Sequence, residues 1–147
     1  MKVKIAWIGK TKEPSIAGLT EEYLKRIARY ATVEGVTVRD EAGLIAKFKA
    51  PKGEAKCTLL LLDARGKELS SEQFAKFLGD YQDRNPLPLV FAIGGADGFS
   101  DAARSAAHTV ISLGKMTLAH ELARVVLLEQ IYRAFTILKG HPYHAGH

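Results

Sequence analysis

Apolar residues along this chain alternate between short dense runs and wider helical spacings. Residues 2–8 read as a strand closed by Gly9, and residues 33–39, with Val36, Thr37 and Val38, read as a second. Between them Ile16, Leu19, Tyr23, Ile27 and Tyr30 recur at helical spacing, which predicts a helix over 15–30. The pattern weakens over 40–56, where Pro51-Lys52-Gly53 marks a turn, so that stretch is expected to hold a short helix and a mobile basic loop. Thr58-Leu59-Leu60-Leu61-Leu62-Asp63 and residues 89–93 are continuous apolar runs, as in strands buried on both faces of a parallel sheet. Ser70, with Gln73 three residues on, is a capping-box start for the intervening helix, and Asn85-Pro86-Leu87-Pro88 stops it. A helix over 100–107, a strand over 109–113 and a long helix over 118–138 complete the series, with Thr117 placed to cap the last. Strands alternating with helices predict a single α/β domain with a mostly parallel sheet.

The long helix is apolar on nearly every face at Val125-Val126-Leu127-Leu128. Such a helix is either central or a subunit interface, and in a chain this small a symmetric dimer is the expected reading. Glu121 with Arg124, and Glu129 with Arg133, are spaced to pair along it.

Two strand ends carry ligand-loop chemistry. Ile93-Gly94-Gly95-Ala96-Asp97-Gly98 lets a ligand approach bare backbone and permits positive φ; Leu113-Gly114-Lys115-Met116-Thr117-Leu118 breaks a strand at a glycine before a helix. Neither has the glycine spacing of a dinucleotide fingerprint, and the first lacks the lysine of a P-loop. If they follow neighbouring strands, the two loops face each other across a crevice suited to a nucleoside-sized cofactor. The alternative is a pair of tight turns with no ligand.

Composition narrows the class. The 147 residues carry 21 Lys and Arg against 16 Asp and Glu, a formal charge of +5, and the basic residues gather in the amino-terminal half at Lys2, Lys4, Lys10, Lys12, Lys25, Arg26 and Arg29. That balance is compatible with a phosphate-rich partner, but a solvated face is the plainer reading of each position. No membrane-length apolar run or cleavable leader is apparent, so a soluble cytoplasmic protein is expected. Cys57 is the single cysteine, which excludes an internal disulfide and reads as a small apolar residue before a strand.

Taken together, Phe91-Ala92-Ile93-Gly94-Gly95-Ala96-Asp97-Gly98, Leu113-Gly114-Lys115-Met116-Thr117-Leu118-Ala119-His120, the helix from Arg124 to Ala134 and Pro142-Tyr143-His144 resemble the ribosomal RNA large-subunit methyltransferase H family. Trp7-Ile8-Gly9-Lys10 and Leu62-Asp63-Ala64-Arg65-Gly66-Lys67 extend the resemblance over essentially the whole chain. It implies a SPOUT-type α/β-knot domain with a C-terminal trefoil knot, acting as a homodimer. The implied reaction moves a methyl group from S-adenosylmethionine to N3 of a pseudouridine in 23S rRNA of the assembled ribosome. The implied cofactor contacts are Leu62, Gly94, Leu113, Gly114, Lys115, Met116, Thr117 and Leu118, with the apolar side chains enclosing adenine and the backbone reading its edge.

Within that resemblance, His144 is the tail residue whose ordinary pKa suits removal of the N3 proton, and Tyr143 would stack on or hydrogen-bond the base. Both are expected in a flexible tail ordered by a partner subunit or by RNA. Arg124 and Arg133 are candidates for phosphate or carboxylate contacts, and His120 for holding the cofactor loop or substrate. The ending Ala145-Gly146-His147 departs from the family's pattern, in which a basic residue follows Tyr-His. His141, His144 and His147 recur every three residues, but the tail lacks the further ligands of a closed zinc site, so no metal is expected. Two other functions fit less well: an RNA-binding module without catalysis, which intact glycine loops and tail argue against, and a sister enzyme methylating another RNA.

Overall fold

The computed structural model describes residues 1–49 and 56–144, with the side chain of His144 outside the described set. The predicted basic loop at 50–55 therefore lies outside the described residues. Five strands, β1 (Lys2–Ile8), β2 (Thr32–Val38), β3 (Thr58–Glu68), β4 (Leu89–Ile93) and β5 (Thr109–Ser112), form one sheet in the order β2-β1-β4-β3-β5. All four pairings are parallel. Helices α1 (Pro14–Ile27), α2 (Glu41–Phe48), α3 (Ser71–Arg84) and α4 (Asp101–Ala106) make the crossovers, α5 (His120–Leu138) follows the last strand, and a 3-10 turn over Pro142–His144 ends the described chain.

Alternation along the strands divides the core in two. Val3, Ile5, Leu60, Phe91 and Ile93 face one side with α1, α3 and α5, while Ala6, Leu59, Leu61, Val90 and Ala92 face the other with α2 and α4. Every residue of β4 is buried, which is why its sequence carries no alternation. The capping box at Ser70 and Gln73 forms as expected, with backbone bonds of 3.0 Å and 2.8 Å. Cys57 is buried, and its thiol donates to the Phe48 carbonyl.

Leu127, Leu128, Ile131 and Phe135 of α5 are buried within the protomer, the first of the two places expected for this apolar helix. Two expectations need correction. Thr117 does not cap α5, which starts three residues later behind Ala119 with no side-chain cap. β3 runs on to Glu68 although its apolar pattern ends near Asp63. Leu62 and Lys67 both lie opposite Ile111, so residues 63–66 bulge out before the strand rejoins β5. Gly66 closes that bulge: a Cβ there would lie 2.5–2.7 Å from backbone atoms of Ile111.

Candidate active site

The bulge of β3 and the carboxyl ends of β4 and β5 open into a crevice of about 320 Å³. Leu62, just before the bulge, and Ile93 and Ser112, the last residues of β4 and β5, line it, with residues 94–99 after β4 and Leu113, Gly114, Met116, Thr117 and Leu118 after β5. The two glycine loops thus meet across a cleft, but they do not follow neighbouring strands. β3 lies between β4 and β5 and contributes Leu62.

Each loop is shaped by a specific constraint. Gly94 has ordinary φ; what it supplies is room, since a Cβ would stand 3.1 Å from the carbonyl carbon and oxygen of Gly98. The positive φ expected near Gly94-Gly95 falls instead on Gly98, at +72°, where the Gly98 N–H donates to the Gly95 carbonyl. In the second loop Gly114 takes φ +139°, and the Ser112 hydroxyl both donates to the Gly114 carbonyl and accepts from its N–H. Leu62 is buried and Leu113 and Leu118 are half-buried, but Met116 is 87% exposed and so does not fold over the crevice as an enclosing wall. Lys115 is exposed and does not line it.

Charged groups that the sequence reading passed over line the same crevice. Asp63, first residue of the bulge, accepts from the Arg65 backbone N–H at 2.9 Å and pairs with Arg104 at 3.3 Å. Arg104 also donates to the Phe99 carbonyl at 2.6 Å and pairs with Asp101, tying α4 to the end of the first glycine loop. A pairing across forty-one positions leaves no local signature, although Asp63 at the tip of a buried apolar run is a signal of a strand-end site.

Of the candidate substrate residues, His120 lines the crevice and is half-buried at the start of α5. Arg124 has a different place. It is fully buried, and its guanidinium donates to the Ile8 and Gly9 carbonyls, each at 3.1 Å, and to the Thr11 hydroxyl at 2.7 Å. The expected Glu121–Arg124 pair does not form; Glu121 instead accepts from the Lys12 and Glu13 backbone N–H groups. Together these bonds strap the β1–α1 loop to α5, so a phosphate contact by Arg124 is replaced by internal bracing. The Glu129–Arg133 pair does form, with Nε at 2.9 Å.

Tyr143 is docked. Its hydroxyl donates to Glu129 at 3.3 Å and lies 3.5 Å from the Tyr23 hydroxyl, its ring meets Tyr132 edge-on at 4.7 Å, and the Arg133 guanidinium sits over its face. Tyr132 lies nine residues beyond Ala123 of the crevice wall, roughly 13 Å along the helix. Tyr143 and Arg133 are therefore not brought to the crevice of their own protomer.

Burial, the Tyr23 contact and the Glu129 charge hold the Tyr143 phenol well above its ordinary pKa of 10.0. A raised folded-state pKa favours the fold while the group stays protonated. Its contribution is complete below the unfolded value and is lost as pH climbs past 10. Urea unfolding across pH 8–11 should show stability falling above that point, with a shallower fall in Tyr143→Phe.

A parallel α/β sheet with a glycine-bordered crevice at its strand ends, floored by apolar side chains, defines a small-ligand enzyme architecture. The family model described as "Predicted SPOUT methyltransferase" matches residues 1–144. A relative from Koribacter versatilis (strain Ellin345), named "Ribosomal RNA large subunit methyltransferase H", is 52% identical over 147 residues and covers all of both chains. One of the same name from Geobacter sp. (strain M21) is 47% identical over 98% of this chain and 99% of its own. The fold matches a probable methyltransferase from Bordetella pertussis Tohama I at TM-score 0.62 and 12% identity, covering 90% of this chain and 93% of that one. It also matches a probable methylase family protein from Haemophilus influenzae Rd KW20 at TM-score 0.60 and 10% identity, covering 98% and 70%. The chain belongs to the ribosomal RNA large subunit methyltransferase H family of SPOUT methyltransferases.

Proposed function

We propose that this enzyme methylates N3 of a pseudouridine in 23S rRNA of the assembled ribosome, with S-adenosylmethionine as donor, and that it works in the cytoplasm as a homodimer with the family's trefoil knot. The observation carrying this reading is the crevice at the strand ends, bordered by the motifs that match the family: Leu62, Gly94 and five of the six residues from Leu113 to Leu118. Its volume of about 320 Å³ and the bare backbone at Gly94 fit a nucleoside-sized group. When bound, S-adenosylmethionine supplies an electrophilic methyl on a sulfonium.

The protein's own contribution is placement. Leu62, Leu113 and Leu118 exclude water around the adenine, the second glycine loop offers backbone donors and acceptors to its edge, and Lys115 and Thr117 belong to that loop. His120 at the crevice wall positions cofactor or substrate. Alignment of donor and acceptor within a closed site supplies much of the rate.

The imide N3 must lose its proton, and His144 is the residue assigned to take it. Tyr143 donates a hydrogen bond to the base once its hydroxyl leaves Glu129, or stacks on it. Because Tyr143 is docked along α5 away from its own crevice, the tail of one protomer serves the crevice of the other. Arg133 beside Tyr143 then lies where it can meet an RNA phosphate.

The test is to incubate the protein with S-adenosylmethionine and intact unmethylated ribosomes and map the added methyl by mass spectrometry. Methyl on N3 of a 23S pseudouridine is the expected result, and methyl on another RNA or another position would replace this reading with a sister activity. His144→Ala should lower the single-turnover rate at saturating substrate by about 100-fold. An unchanged rate would remove His144 as the base.

A further inference from the structure

Asp63 lines the crevice and has no part in the reaction described above. Alternation along β3 turns Leu62 toward the α5 side of the sheet and Leu61 toward the α2 and α4 side. Asp63, one residue on, meets Arg104 of α4. The crevice therefore has two chemically distinct ends. Leu118, His120 and Ala123 border the α5 end; Asp63, Arg65 and Arg104 border the α4 end.

The Asp63 side chain is 8% exposed, and its two oxygens are unequally engaged. Oδ1 accepts from the Arg65 N–H at 2.9 Å, whereas among the described residues Oδ2 has only the long Arg104 contact at 3.3 Å. Arg104 Nη1 is committed more closely to the Phe99 carbonyl, at 2.6 Å. Gly98 keeps the space beside Oδ2 open: a Cβ on Gly98 would sit 3.9 Å from that oxygen. A nearly buried carboxylate with a weakly paired oxygen and a bare glycine beside it is arranged to receive a further donor, and a cationic donor gains most there.

We propose that Asp63, held in place by Arg104, is the group that binds the α-ammonium of the cofactor's amino-acid end. The inference rests on S-adenosylmethionine being the cofactor. An apolar end suits adenine, and the amino-acid end is the only part of that molecule carrying an ammonium. Arg104 is a positioning residue: it fixes the carboxylate, and through Phe99 and Asp101 it fixes the loop and helix around it.

Three ligands separate this role from a merely structural one. S-adenosylmethionine and S-adenosylhomocysteine both carry the ammonium, while 5′-methylthioadenosine keeps the adenosine and sulfur but lacks the amino acid. In calorimetric titrations Asp63→Asn should weaken the first two about ten-fold or more and leave 5′-methylthioadenosine within two-fold of the wild-type value. Arg104→Gln, which keeps the carboxylate but loosens it, should show the same selectivity with a smaller loss. Equal weakening of all three ligands would reduce Asp63 to a loop support and overturn the proposal. Weakening of S-adenosylmethionine alone would assign the carboxylate to the sulfonium and overturn it as well. Wild-type protein that binds none of the three would instead remove the cofactor reading on which the inference rests.

Discussion

Replacing Gly66 with alanine is expected to lower stability by about 3 kcal/mol and to weaken cofactor binding with it. The added methyl would lie 2.5 Å from the Ile111 carbonyl carbon and 2.7 Å from its N and Cα. All three contacts are with the Ile111 backbone, so no flexible side-chain end can move aside. The strain must be relieved by parting β3 from β5, and β5 carries the second glycine loop into the crevice. Urea unfolding monitored by circular dichroism measures the first effect and calorimetry the second. Gly18→Ala is the control: it lies inside α1 with nothing within 4 Å of its added Cβ, so it should gain up to about 1 kcal/mol. A Gly66→Ala protein as stable as wild type would mean that the bulge does not pack as described.

Gly94→Val acts on the site more than on the fold. Its Cβ would press on the Gly98 carbonyl at 3.1 Å, and the two added methyls would take space bordering the crevice. Affinity for S-adenosylmethionine should fall at least about 100-fold, a loss of about 2.7 kcal/mol, with the unfolding midpoint little changed. Gly94→Ala should fall between the two. Binding by the valine variant within three-fold of wild type would place the cofactor elsewhere.

The fold was legible wherever one element's own pattern sufficed. The strands at Lys2–Ile8 and Leu89–Ile93 have the expected limits because apolar runs bounded by Gly9 and by Pro88 and Gly94 admit little else. β3 was read short because Ala64-Arg65-Gly66-Lys67 has no strand periodicity, and its extension exists only through the contact of Lys67 and Glu68 with β5. Long-range bonds defeated the same reading at Arg124. A polar residue in a helix reads as surface, yet Arg124 shares a face with Leu127, Leu128, Ile131 and Phe135. That helical spacing was the available signal that its guanidinium points inward. The acceptors at Ile8, Gly9 and Thr11 lie more than a hundred residues away, where no local pattern could supply them.

The candidate site divides in the same way. Glycine loops announce themselves because only glycine meets the steric demand, so Gly94 and Gly114 could be found without the fold. The Asp63–Arg104 pair could not, since an ion pair between the bulge of β3 and helix α4 exists only in the folded chain, although Asp63 itself ends a buried apolar run. Tyr143 was identified, but its docking on Tyr132 and Glu129 places it along α5 and away from the nearby crevice.

The crevice bordered by β3, β4 and β5 is the proposed seat of the methyl donor. Calorimetric titration of S-adenosylmethionine into wild-type protein and into Gly94→Val tests it most directly. Saturable binding by the wild type that the valine variant loses is the predicted result. An absence of binding to the wild type, or equal binding to both proteins, would contradict it.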